Sequence, residues 1–231
     1  MGYYMNYLTK QMAESAISKM ANFHSHLKSF YERHDMDFLE DLGRRNILMS
    51  RPQETFFAEA ISEKYPLTFS DGKTGQPDII IPELNRELEC KITSPHKSGS
   101  WGLQTDHSTL TQKGKIDYLY VLCNRDFNEF GVFHFEGLTT DDFRSPSPGS
   151  RGKVSLIMRN AIDKCSILMG SVRNRNEINL EKLSIKKTNA VDAKDLAKIN
   201  KSINYWTVTP ASYSISLEKM NIAPFHIENG A

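Results

Sequence analysis

Pro77-Asp78-Ile79-Ile80-Ile81-Pro82-Glu83-Leu84-Asn85-Arg86-Glu87-Leu88-Glu89-Cys90-Lys91-Ile92-Thr93 reads as two strands joined by a tight turn. Asp78–Ile81 is β-branched, 82–85 has turn chemistry, and Glu87–Thr93 resumes an extended pattern. Glu89 and Lys91 are two residues apart, so they share one face of the pleat, while Cys90 points into the opposite layer. Pairing across the turn brings Asp78 towards both. Two converging carboxylates repel, and a divalent cation relieves that repulsion. Magnesium prefers oxygen ligands and takes one or two protein carboxylates, leaving its other positions to water and phosphate. An ammonium beside it can hold a water and stabilise a pentavalent phosphate, which together suits phosphodiester hydrolysis. The competing reading is a surface hairpin whose charges are solvated.

Upstream, Ser50-Arg51-Pro52-Gln53 has the form of a capping box and predicts a helix from there to about Lys64. Its apolar stripe includes Phe57, Ala58 and Ile61. Glu54 lies on that stripe, Glu59 and Glu63 off it, and an inward carboxylate needs a partner such as a metal site. Two earlier helices are expected. Met5–His34 carries Leu8, Met12, Ile17, Met20, Phe23, Leu27 and Phe30 at helical spacing, and Met36–Leu48 turns Phe38, Leu39 and Leu42 inward. Downstream, Ser94–Gln112 is a polar loop and Asp117–Cys123 is apolar enough for a buried central strand. Gly131–Phe135 reads as another strand. Thr139–Lys153 is a long Ser/Pro/Gly-rich loop of the kind that is usually functional or disordered. Val154–Lys164 is expected to be helix, Cys165–Gly170 strand, and Asp192–Tyr205 helix.

The 231 residues suffice for one sizeable domain or a domain with an appendage, and 39% hydrophobic with 25% charged is an ordinary globular composition. Three scattered cysteines, Cys90, Cys123 and Cys165, have no metal-ligand spacing and suggest a reducing compartment. With no secretory leader pattern and no apolar run of membrane length, the expectation is a cytoplasmic protein. The net charge of +1 is unevenly spread: 151–201 carries 12 Lys or Arg against 5 Asp or Glu, and 1–150 carries 16 against 21. A basic segment beside an acidic one fits a polyanion-binding face next to a metal-binding face.

Pro77-Asp78, ten intervening residues and Glu89-Cys90-Lys91, preceded by a helix bearing Glu54, resembles the PD-(D/E)xK nuclease superfamily, to which most type II restriction endonucleases belong. The resemblance spans about residues 50–137. It implies an α/β fold with a restriction-endonuclease-like core, a central mixed β-sheet flanked by helices, here with an N-terminal helical extension over 1–49 and a nuclease domain over 50–231. It further implies that Asp78 and Glu89 bind Mg2+, with Mn2+ as a substitute, that the Cys90 main-chain carbonyl adds a metal contact, and that Lys91 assists the water. Glu54 would be an additional carboxylate, although the helix offers three glutamates. DNA contacts are expected from Lys97, Ser98, Trp101, Gln104 and His107 in one loop and from Arg144, Arg151 and Lys153 in another, with the segment 138–231 contributing further contacts. Arg and Lys suit guanine and phosphate, and Gln suits adenine. A type II restriction endonuclease implies a homodimer on palindromic double-stranded DNA and a paired DNA methyltransferase. The alternatives are a structure-selective or repair nuclease of the same superfamily, or a non-catalytic DNA-binding protein.

Overall fold

In a computed structural model of the chain, residues 6–66, 68–69, 76–96, 101–149 and 152–220 are described. Helix α1, Lys10–Glu32, starts where the Thr9 hydroxyl accepts the Met12 N–H at 3.2 Å. Its buried stripe is Met12, Ala13, Ala16, Ile17, Met20, Ala21 and His24. Phe23 and Phe30, expected on that stripe, are exposed; the small Ala13, Ala16 and Ala21 instead let the neighbouring helix approach.

Helix α2, Leu42–Ser62, replaces two expected helices with one. The cap is Asp41, whose Oδ1 accepts the N–H groups of Gly43 and Arg44 at 2.9 and 3.1 Å. The expected capping box at Ser50 is not formed. Ser50 donates its hydroxyl to the Ile47 carbonyl, and Pro52 lies inside the helix. Continuity keeps Arg45, Met49, Gln53, Phe57, Ala60 and Ile61 on one buried face at three- and four-residue intervals. Packing of that face outweighs the local cost of an interior proline.

The strands are β1 (Thr68–Phe69), β2 (Ile79–Ile81), β3 (Arg86–Thr93), β4 (Gln104–Asp106), β5 (Ile116–Cys123), β6 (Glu129–Leu138), β7 (Lys153–Ser155), β8 (Cys165–Met169), β9 (Ser171–Asn174), β10 (Tyr213–Ser216) and β11 (Glu218–Lys219). The remaining helices are α3 (His107–Lys113), α4 (Met158–Ala161), α5 (Arg175–Thr188) and α6 (Ala193–Val208). The main sheet runs β1-β2-β3-β5-β6-β11, with β8 also pairing with β6. It is mixed: β3 and β5 are parallel, while the neighbouring pairs are antiparallel. Every residue of β5 is buried, as expected of a central strand. The protein is thus an α/β protein with a mixed central sheet. Between β2 and β3 the chain makes a short 3-10 turn, Pro82–Leu84, and leaves it through Asn85 at φ +50°, a left-handed conformation that asparagine tolerates.

The core lies between α1, α2 and one sheet face, formed by Ile79, Ile81, Leu88, Cys90, Leu119, Val121, Val132 and their neighbours. The other face presents Tyr118, Tyr120, Phe133 and Phe135. There the small β4–β7 sheet is attached: Tyr118 bonds Thr105 (Oη to Oγ1, 3.0 Å), and the Tyr120 hydroxyl donates to the Gln104 carbonyl. The polar loop expected over Ser94–Gln112 therefore contains β4 and α3, and the expected helix over Val154–Lys164 is a strand, a short helix and a 3-10 turn.

By its internal contacts the chain divides into two units, Ser171–Ser216 and the remainder. The smaller unit holds β9, β10, α5 and α6, with β9 and β10 antiparallel. Sequence periodicity locates α6, capped by Asp192, but α5 was not anticipated. Among the described residues no helix is long and apolar enough to cross a membrane.

Candidate active site

The register of β2 against β3 pairs Ile79 with Leu88 and Ile80 with Glu87, so continuing it by one step sets Asp78 opposite Glu89. Asp78 sits just before β2, and its Oδ2 accepts the Cys90 N–H at 2.7 Å. That bond ties the start of one strand to the middle of the next. The Cys90 main chain thus engages Asp78 through its N–H, and its side chain is buried on the helix side. Glu89 and Lys91 lie on the opposite face, where Glu89 Oε1 is bonded to Lys91 Nζ. Glu89 Oε2 is buried and has no hydrogen-bond partner.

Three carboxylates meet electrostatically here. Burial pushes Glu89 up, and although Lys91 pulls it back, Asp78 adds to the rise. Burial also pushes Asp78 up, against the Cys90 N–H and Lys91. Glu54 rises through burial and then through the Asp78 charge. Of the three candidate glutamates, Glu54 and Glu59 on α2 and Glu63 at its C-cap, Glu54 is the one raised by the Asp78 charge. Arg51 bonds it at 3.1 Å, whereas Glu59 pairs with Lys19 at 2.9 Å on the surface. For Lys91, burial opposes the ammonium, but Glu89 and Asp78 more than offset it and the amine is raised.

Gln53 holds the layers in place. It is fully buried on α2, and its Nε2 donates to the Lys91 carbonyl at 3.2 Å and the Leu119 carbonyl at 3.3 Å. The sequence pattern assigned it to a cap; only its place on the buried stripe signalled otherwise. Asp106 is a second unanticipated neighbour, since its charge raises Glu89 and it pairs with Lys153 at 2.8 Å.

The two expected DNA loops come together in one small sheet. Gln104 pairs with Ser155 and Asp106 with Lys153, so β4 and β7 join segments far apart in sequence. Gln104 and Lys153 are exposed, as is Arg144, whose N–H bonds the Ser155 carbonyl at 2.9 Å. His107 opens α3, half-buried, with its N–H on the Gly152 carbonyl. Trp101 is half-buried. Lys97, Ser98 and Arg151 lie outside the described residues.

Among the described residues no group of three or more His, Cys, Asp or Glu side chains is arranged to hold a metal. Asp78 with Glu89 nevertheless fits the smaller set that magnesium takes from proteins, where water and phosphate fill the rest. The partnerless Glu89 Oε2 is a buried carboxyl oxygen of the type a cation satisfies. Comparisons with family models, curated proteins and solved structures return no match for this chain.

Proposed function

We propose that the protein is a Mg2+-dependent deoxyribonuclease built on a PD-(D/E)xK core, and specifically a type II restriction endonuclease. One observation carries the reading: Asp78 and Glu89 face each other across the β2–β3 hairpin, with Glu89 Oε2 buried without a partner and Lys91 alongside. The mixed sheet, with α2 behind the hairpin and β5 parallel to β3, supports it.

Asp78 and Glu89 would hold the cation, with Glu54 at the edge of the same field. When bound, the cation supplies charge neutralisation at phosphate oxygens and lowers the pKa of water. Lys91, with its amine raised, stays protonated at neutral pH and so acts as a donor. It orients the attacking water and offsets charge developing on the phosphate. The Asp78–Cys90 bond fixes one carboxylate, and Gln53 fixes the Lys91 backbone, so the groups need little rearrangement before reaction. The homodimer and the partner methyltransferase belong to the restriction form of this proposal.

Plasmid DNA incubated with the purified protein should give discrete fragments with Mg2+ and none with EDTA. Lys91→Ala should reduce cleavage by at least about 100-fold while leaving folding and DNA binding intact. Full activity in that variant would refute the assignment. A smear would move the reading to a structure-selective or repair nuclease, and salt-sensitive binding without any cleavage to a DNA-binding protein.

A further inference from the structure

Helix α6 presents two unlike faces. Ile199, Ile203 and Trp206 are half-buried on the side packed against α5. Lys194, Lys198, Lys201 and Tyr205 are exposed and succeed one another by four, three and four residues. At 3.6 residues per turn these positions fall within about 60° of arc, on the side away from the apolar set. Ala197 and Val208 are the other exposed positions close to the stripe, and Asn204 and Asp195 lie at its two edges, so the one carboxylate beside it is at the margin. Lys198 reaches only the flanking Asp195, at 3.8 Å with both side chains exposed. Among the described residues Lys194 and Lys201 have no ion-pair partner. The unit as a whole carries eight Lys or Arg against four Asp or Glu.

We propose that the Lys194–Lys198–Lys201–Tyr205 face of α6 is a docking surface for the sugar-phosphate backbone of DNA. Among the described residues Lys194 and Lys201 are unpaired and Lys198 has only a long, exposed contact with Asp195, so the stripe stays largely self-repelling and a polyanion relieves it. Lys194 and Lys201 are separated by about 10 Å along the axis at 1.5 Å per residue. Over that rise the long, exposed lysine side chains can each reach a different backbone phosphate. The Tyr205 hydroxyl adds a donor of the kind that bonds phosphate oxygens. Such contacts position the protein without reading sequence. A membrane surface is the poorer fit, because the larger apolar side chains Ile199, Ile203 and Trp206 face α5 and only Val208 adds an exposed aliphatic group on the lysine side. This inference rests on DNA being the substrate and adds where the chain grips it.

The test is the salt dependence of binding of the full chain to a labelled mixed-sequence duplex, in EDTA so that no cleavage intervenes. Replacing Lys194, Lys198 and Lys201 together by Gln should lower the slope of log K against log salt by about 2.7, at about 0.9 per phosphate contact. Replacing all three by Arg should leave the slope unchanged. All three side chains are exposed, and circular dichroism checks that the fold persists. An unchanged slope in the Gln variant, or no duplex binding by the wild type, overturns the proposal. So does loss of binding to anionic phospholipid vesicles with DNA binding unaltered. Wild-type binding with the expected slope but no cleavage in Mg2+ would refute the nuclease reading and leave this one standing; cleavage with an unchanged slope would do the reverse.

Discussion

Gln53→Glu exchanges a donor for an acceptor at the most enclosed polar position behind the site. Gln53 is fully buried, and its Nε2 lies 3.2 Å from the Lys91 carbonyl and 3.3 Å from the Leu119 carbonyl. A carboxylate there would set oxygen against two carbonyl oxygens with no compensating donor. A buried uncompensated charge costs about 3–5 kcal/mol. At about 1.4 kcal/mol per pH unit, that cost corresponds to a carboxyl pKa raised by about 3 units, from about 4.3 to about 7. A carboxyl raised in the folded state is better tolerated once protonated, so the penalty is full above the raised value and shrinks as pH falls through it. Urea unfolding of variant and wild type should therefore show a stability difference of about 4 kcal/mol at pH 8, falling to about 1 kcal/mol near pH 5. Because the Lys91 backbone is one of the two anchors, Mg2+-dependent cleavage at pH 8 should fall as well, under conditions where the variant is still folded. Equal stabilities across the pH range would refute the placement of Gln53 between the strands, and with it the account of how Lys91 is held.

Two further outcomes follow from the buried ionisable groups. His24, stacked on Phe127, is pushed down to about 3 by burial and then by Arg45; His134 is pushed down to about 3 by burial and then by Arg86. Unfolded, both titrate near 6.5, so below that value the unfolded chain takes up protons that the folded chain refuses. Each then costs about 1.4 kcal/mol of stability per unit of pH down to about 3. The raised carboxylates act in the opposite sense, so the clean measurement is a difference: His24→Gln should remove one histidine's share of the acid slope in urea melts, and an unaltered slope would contradict its burial. In the proposed site protons and cation would compete for Asp78 and Glu89, both raised by burial, so the Mg2+ concentration giving half-maximal cleavage should rise as pH falls through the range of these elevated carboxyls. A metal requirement that does not rise as the pH is lowered would contradict that competition.

The hairpin was legible because its information is local. The β-branched Ile79–Ile81, the turn at 82–85 and the two-residue spacing of Glu89 and Lys91 set strand, turn and face through the pleat alone, and Asp78 follows from the register that the short turn imposes. The burial of β5 was likewise written in a run that is apolar except for Asp117. The helix boundary near residue 50 was misread because Pro52 and Ser50 are strong local cues, whereas the outcome depended on a buried face extending from Arg45 to Ile61 that exists only against α1 and the sheet. The same holds for Gln53, whose partners Lys91 and Leu119 are 38 and 66 residues away. It holds also for β4, which reads as loop, and β7, which reads mostly as the start of a helix, until each supplies the other's hydrogen bonds. Periodicity and turn chemistry are properties of neighbouring residues and survive in the sequence; the satisfaction of buried polar groups is a property of distant ones, and only the folded chain determines it.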